Sequence, residues 1–302
     1  MQTFEKYIKI IHQDFPRLVI SSIKKLGEGD NNKAYLINEE YIFRFPKRER
    51  VKKQVRREIA VLSEIKSFVN IQIPELEYIS PSINFIGYRM IKGENFSANL
   101  FHKLGKKDQQ NAQKALADFL SSVHAIDLSQ LKNCNLKTMN LKEEYKDNFE
   151  KAKQLIFPHL SKNKRNIITR FFLKYLTNEH NFDYSECLIH NDFSSDHILF
   201  NTVKKQITGI IDFGDIAIGD PDYDLMYLLD EFGEKFIPGF LKNYPQTKEK
   251  NLLQKLNFFA LANKIQSFPD KDYHAESDLW KYAYAHLNEW FEKQALQMNL
   301  NG

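Results

Sequence analysis

Apolar positions at Phe4, Tyr7, Ile8 and Ile11 predict a helix over residues 1–15, ended by Pro16. Val19, Ile20 and Ile23 begin a strand that runs into Leu26-Gly27-Glu28-Gly29-Asp30-Asn31-Asn32, and Ala34–Ile37 reads as the strand beyond that turn. Tyr41–Pro46 is the next strand. The stripe Val55, Ile59, Leu62 and Ile65 predicts a helix over Arg50–Lys66, with Glu58 on its edge, about 60° from Val55. Two more strands follow, Leu76–Ile79 between Pro74 and Pro81, and Ile83–Ile91. The polar Lys92-Gly93-Glu94-Asn95 predicts a hinge. Beyond it the period turns helical, with Asp108 as a cap for a face of Ala112, Ala115, Leu116, Phe119, Leu120 and Val123. His124 falls at the edge of that face and reads as a packed, hydrogen-bonded residue. Residues 129–163 are polar and broken into short helices, and Ile167, Ile168, Phe171, Phe172, Tyr175 and Leu176 make a clear amphipathic helix.

Three short apolar runs follow: Leu188-Ile189, Ile198–Phe200 and Ile207–Ile211, the last two read as a hairpin. Asp222–Phe232 is helical, with Leu225, Leu228, Leu229 and Phe232 on one face and Asp220 as its cap. Two further helices, about 248–267 and 277–297, close the chain; their aromatics (Trp280, Tyr282, Tyr284, Trp290, Phe291) read as core. The pattern therefore predicts an α+β chain with a small lobe over residues 1–91, a hinge at 92–95 and a larger, mainly helical lobe over 96–302. The small lobe is a mostly antiparallel sheet with a helix.

The chemistry collects where buried strands end. His190, Asp192, His197 and Asp212 all occupy such ends, and Phe213-Gly214 follows the last of them. A catalytic Asp, a metal ligand five residues on, and a second metal-binding Asp before Phe-Gly is the order found in kinases. Asp192 then serves as catalytic base, and His197 with Asp212 holds Mg²⁺. The strand–glycine turn–strand form upstream suits a loop laid over phosphates, with Gly27, Gly29, Asn31 and Asn32 letting backbone N–H groups approach. Arg44, on the strand after that loop, stands where protein kinases place a lysine, and Glu58 on the following helix is its expected partner. If the hinge lies at Lys92-Gly93, Tyr88 points to the back of a purine pocket, and the purine edge meets backbone near Met90 and Ile91.

The motifs H190-N-D-F-S-S-D-H-I-L-F200, I210-I-D-F-G-D215 and G219-D-P-D-Y-D-L225 resemble those of the aminoglycoside phosphotransferase family. The likeness is greatest to its 2″-O-phosphotransferase subgroup, where Ser-Ser-Asp-His replaces Pro-Gly-Asn. That resemblance implies a two-lobed, protein-kinase-like fold and transfer of a nucleotide γ-phosphoryl group to a hydroxyl. It makes Asp220 and Asp224 supports of the catalytic loop. A Tyr at the position of Tyr88 goes, in that subgroup, with guanosine nucleotides, so GTP is expected to serve at least as well as ATP. The subgroup usually has Lys where this chain has Arg44.

Charge adds one feature. The net charge of +4 over 302 residues is small, and the basic groups lack interleaved aromatics or a binding module, which argues against nucleic acid as a partner. From Asp212 to Glu234 there are eight acids and no Lys or Arg. Asp215, Asp222, Asp230, Glu231 and Glu234 are thereby candidate contacts for the ammonium groups of a cationic acceptor of the aminoglycoside type. No stretch approaches the ~20 apolar residues of a membrane span, the first fifteen residues have no signal-peptide core, and the two cysteines, Cys134 and Cys187, read as reduced thiols. A cytoplasmic monomer is expected. Three other readings compete: a macrolide or small amino-alcohol kinase of the same fold, a metal-dependent phosphohydrolase, and a non-catalytic kinase-fold binding protein.

Overall fold

The structure, a computed structural model, describes residues 2–29, 31–245, 251–269 and 277–300. Asp30 of the glycine turn and the first residues of the helix predicted from 248 lie outside them. Helix α1 (Gln2–Asp14) precedes a five-stranded antiparallel sheet of β1 (Ile23–Glu28), β2 (Asn32–Ile37), β3 (Tyr41–Pro46), β4 (Leu76–Ile79) and β5 (Ile86–Arg89), in the order β1-β2-β3-β5-β4. Helix α2 (Glu49–Ile65) crosses between β3 and β4. Strand alternation divides the work of the two faces. Tyr35, Ile37, Phe43 and Phe45 pack outward with Tyr7 and Ile11 of α1, while Ile86 packs on the opposite face with Val51 and Val55 of α2. Arg44, between Phe43 and Phe45, consequently points toward α2.

Strand β5 is shorter than the predicted Ile83–Ile91. Ile83 takes a positive φ of 53° in a turn closed by its N–H on the Ser80 carbonyl at 2.8 Å. The predicted hinge is partly a strand: β6 (Glu94–Asn95) pairs with β8 (Ile198–Asn201) of the large lobe.

The large lobe continues through α3 (Ala98–Lys103) and α4 (Lys106–His124). The N-cap of α4 is Gly105, which places Asp108 inside the first turn rather than at the cap. Helix α5 (Leu141–Lys151) lengthens into a π-turn at Ala152–Ile156, and α6 (Lys162–Leu176) leads to β7 (Cys187–Ile189). β8 and β9 (Gln206–Ile210) form the predicted hairpin, with Ile198 opposite Ile210. β7 belongs to a different sheet and pairs with β10 (Ala217–Gly219), Ile189 opposite Ala217. Helices α7 (Asp222–Phe232), α8 (Ile237–Leu241), α9 (Leu252–Gln266) and α10 (Asp278–Leu300) complete the fold.

One core runs through the large lobe and reaches into the small one. Val61, Leu62 and Ile65 at the C-terminal end of α2, with Ile73, pack in the same cluster as Leu116, Phe119, Phe200, Phe213 and Phe258. The Ile210 N–H also donates to the Gln72 carbonyl at 2.9 Å. Helix α2 is thus anchored at one end under the sheet and at the other in the large-lobe core.

Candidate active site

A cavity of about 330 Å³ opens between the lobes, lined by the glycine turn (Gly27, Gly29, Asn31, Asn32), Arg44, Glu58, Asp192, His197, Asp212 and Asp215, among others. Residues nominated from five separate stretches of sequence therefore share one space.

Its small-lobe wall is built on an ion pair. Arg44 Nη1 and Nη2 donate to Glu58 Oε1 and Oε2 at 2.9 and 2.7 Å. Both side chains are nearly closed to water, at 7 and 0% exposure, so the bidentate geometry has to offset their desolvation. Burial pushes the Glu58 carboxyl up, and Arg44 opposes it. Arg44 Nη1 also lies 3.6 Å from Asp212 Oδ1, across the lobe boundary.

Tyr88 is buried on the α2 side of β5. The face is fixed by its neighbour: a Cβ on Gly87 would meet the Phe43 ring at 2.9 Å, so Gly87 faces the outer aromatic core and Tyr88 the α2 side; Tyr88, Met90 and Ile91 are not among the residues lining the cavity. Burial first, then Glu58 and Asp212, push the Tyr88 hydroxyl up to about 12 against the pull of Arg44. Met90 uses its N–H on the Glu40 carbonyl at 2.8 Å, and the Lys92 carbonyl accepts from Thr208 at 2.8 Å. Ile91 packs over Gly209, where a Cβ would come within 2.5 Å of its Cγ2.

The large-lobe wall is the turn from His190 to His197. Asp224, buried at the start of α7, accepts the N–H groups of His190 on Oδ2 and Asn191 on Oδ1, each at 2.8 Å. Its Oδ2 also accepts from His124 Nε2 at 3.0 Å, and the Tyr244 hydroxyl lies 2.7 Å from His124 Nδ1. The expected packed histidine is thus the backing of the loop's main support. Asn191 takes a left-handed φ of 66°, which its short polar side chain tolerates. Its carbonyl accepts from the Tyr227 hydroxyl at 2.9 Å, and its side chain donates to the Asp215 carbonyl at 2.9 Å. Burial holds the His190 imidazole down at about 4, hence neutral, with Nε2 donating to the Ile211 carbonyl at 3.1 Å.

Asp192, His197 and Asp212 form a row. His197 Nδ1 lies 2.9 Å from the Asp192 carbonyl and 3.4 Å from Asp192 Oδ2. A carbonyl can only accept, so Nδ1 carries a proton, while Nε2 faces Asp212 Oδ2 at 3.7 Å. A histidine held this way is oriented as metal-ligating histidines are. Asp212 has a left-handed φ of 62°, a strained placement for its side chain. Burial works to raise its carboxyl, but Arg44 first and then His197 hold it below the usual range. Asp192 goes the other way: burial raises it to about 6, with His197 opposing. Two carboxylates of one cluster are thereby pushed apart.

Four of the five acids nominated as acceptor contacts have partners within the chain itself. Asp215 Oδ1 accepts from Gln54 of α2 at 3.1 Å. Asp222 is buried and lies 2.8 Å from Lys255 Nζ, which also meets Asp220 at 2.7 Å. Asp230 pairs with Lys264 at 2.5 Å and Lys293 at 3.2 Å. Glu231 Oε1 accepts the Ala98 N–H at the start of α3, at 2.9 Å. Glu234 is exposed and lies away from the row, against the wall of a separate cavity between α6 and α9. Sequence reasoning missed Gln54, Tyr227, Lys255, Lys264 and Lys293. Tyr227 and Gln54 could have been found: each lies one helical turn from a residue already singled out, Asp224 or Glu58.

Among the described residues, no three His, Cys, Asp or Glu side chains come together as a metal-holding group, and no helix is long and apolar enough to cross a membrane.

The phosphotransferase enzyme family matches residues 22–259. The GDP and kanamycin complex of APH(2")-IIia is 30% identical over 95% of this chain and 99% of its own, with a TM-score of 0.88. The GDP complex of wild-type aminoglycoside 2'-phosphotransferase-IIIa is 29% identical over 96% and 98%, with a TM-score of 0.89. A type I macrolide 2'-phosphotransferase shares the fold at 14% identity, with 95% and 97% of the chains covered and a TM-score of 0.76. With the Asp192–His197–Asp212 row facing the Arg44–Glu58 pair, the match establishes that the chain belongs to the phosphotransferase enzyme family and transfers a phosphoryl group from a nucleotide to a hydroxyl.

Proposed function

We propose that the enzyme phosphorylates a hydroxyl of an aminoglycoside antibiotic, with GTP as donor and ATP as a poorer one, and so confers resistance. The observation that carries this reading is the single cavity into which the raised carboxyl of Asp192, the His197–Asp212 pair and Arg44 all open. It is supported by likeness over nearly the whole chain to a protein solved with GDP and kanamycin.

In this reading Asp192 accepts or orients the acceptor proton, and Arg44, kept in place by Glu58, meets the donor phosphates under the Gly27–Asn32 turn. Catalysis is then mostly positioning and neutralisation of charge. His197 Nε2 and Asp212 would be the residues of this chain to hold a divalent cation. Mg²⁺ bound there supplies positive charge to the transferring group. Its preference for oxygen makes His197 an unusual partner, so Mn²⁺ should serve as a substitute. The purine edge falls to the Met90 carbonyl and the Ile91 peptide, since the Met90 N–H is committed to Glu40. Tyr88 blocks deep entry, and guanine still reaches these groups from a shifted seat while adenine loses its pairing. We assign the hinge to residues 92–95 and place a monomer in the cytoplasm, where both buried cysteines remain free thiols.

A panel of aminoglycosides, macrolides and small amino alcohols, scored by consumption of GTP and of ATP, tests both halves. Turnover of aminoglycosides with GTP preferred is expected, and Tyr88→Ala should narrow that preference from ~10- to 100-fold. Turnover confined to macrolides or neutral acceptors would refute the acceptor assignment. An ATP preference that ignores Tyr88→Ala would refute the donor assignment.

A further inference from the structure

The least buried side of α7, with Tyr227 and Asp230 half-buried, passes beside the catalytic turn. Tyr227 touches the Asn191 carbonyl next to Asp192, and Asp230 follows it by three residues, about one turn farther along the same side. An acceptor presenting a hydroxyl to Asp192 and extending along α7 reaches Asp230 next. A free carboxylate there would attract an ammonium group.

Asp230 is not free. Lys264 from α9 meets its Oδ2 at 2.5 Å, and Lys293 from α10 meets its Oδ1 at 3.2 Å and its backbone carbonyl at 2.8 Å. The local sum is one negative and two positive charges, so the spot is net positive. The two lysines differ in access. The Lys264 side chain is 10% exposed and shut into the helix packing, whereas that of Lys293 is 54% exposed. One is a fixed partner, and the other can leave without opening the core.

We propose that Lys293 is a specificity-determining residue: its ammonium group occupies on Asp230 the position of an acceptor amine, and a polycationic acceptor has to displace it. The proposal rests on the aminoglycoside reading of the site for its substrate class. Lys264 stays in place and keeps Asp230 aligned. The enzyme then discriminates against acceptors carrying an ammonium at this distance from the reacting hydroxyl, and favours those carrying a hydroxyl there. Removing Lys293 abolishes the competition without touching Asp192, His197, Asp212 or the nucleotide side.

The test is Lys293→Met, with kanamycin as the polycationic probe, read by calorimetric binding and by turnover. Binding of kanamycin should tighten and its KM fall by about fivefold, as expected for loss of one half-exposed competing charge. The kcat and the KM for nucleotide should not move. In the Asp230→Asn background the same lysine substitution should give no gain, which separates displacement at Asp230 from a general loss of positive charge. Unchanged or weaker kanamycin binding in Lys293→Met overturns the proposal, as does an equal gain in the Asp230→Asn background. If the wild-type enzyme turns over no aminoglycoside while Lys293→Met still tightens kanamycin binding, the acceptor reading falls and the displacement stands.

Discussion

The Tyr227 hydroxyl donates to the Asn191 carbonyl at 2.9 Å, one bond before Asp192, the proposed catalytic residue. With Asp224 holding the N–H groups on the other side of that peptide, α7 grips the left-handed residue from both ends. Tyr227→Phe should cost about 1 kcal/mol of stability, the usual worth of one net hydrogen bond. Its turnover should fall by more than that loss explains, roughly tenfold, because a small misplacement of Asp192 is costly to an in-line transfer. Thermal melting and steady-state kinetics on the same preparation check it. Turnover at the wild-type level would show that Asp224 positions the loop unaided.

Asp192 lines the cleft, and among the described residues the ion pair of its carboxyl is the 3.4 Å approach to His197. Asp192→Asn should leave the melting temperature almost unchanged and lower turnover by at least ~10²-fold. A variant near normal turnover would remove Asp192 from the chemistry.

Glu58→Ala strands the buried guanidinium of Arg44. Loss of one partner from a buried pair costs roughly 3–5 kcal/mol. Among the described residues Arg44 then has Asp212, 3.6 Å away, as its remaining anion, and a carboxylate drawn to Arg44 would be withdrawn from the proposed cation. Both kcat and nucleotide affinity should therefore fall, and raised Mg²⁺ should restore part of kcat. Loss of stability with unaltered kinetics would confine Glu58 to a structural part.

The buried Asp220 gives a pH signature. Burial raises its carboxyl to about 6 in spite of Lys255, against ~3.9 in the unfolded chain. Between those values the folded protein keeps a proton that the unfolded chain has lost, so this group's contribution to stability falls as pH rises from 4 to 6. The melting temperature of the wild type minus that of Asp220→Asn should shrink across that window and level off above it. A difference that grows with pH contradicts the assignment.

Local pattern carried the fold a long way. The stripe Val55–Ile65, the alternation around Arg44 and the strand ends at Asp192 and Asp212 needed only neighbours in sequence to be read. Arg44 with Glu58 was legible because strand and helix periods both turned their side chains inward. What stayed hidden were partners supplied from afar. Nothing near Cys187 says that β7 pairs with β10, beyond the hairpin. The acidic run looked open because Lys255, Lys264 and Lys293 come from the last sixty residues, whose own pattern read only as helix. Charge read along a chain counts residues, and charge in a fold is set by what the packing brings opposite.

Helix α2 holds Glu58 with its middle while its last turns are buried in the large-lobe core. To swing Glu58 away from Arg44 the helix would have to pull Val61, Leu62 and Ile65 out of that packing, at about 1.5–3 kcal/mol for each side chain exposed. Rotating this helix to open the Arg44–Glu58 pair is therefore expensive, and the pair stays closed for as long as that core stays packed.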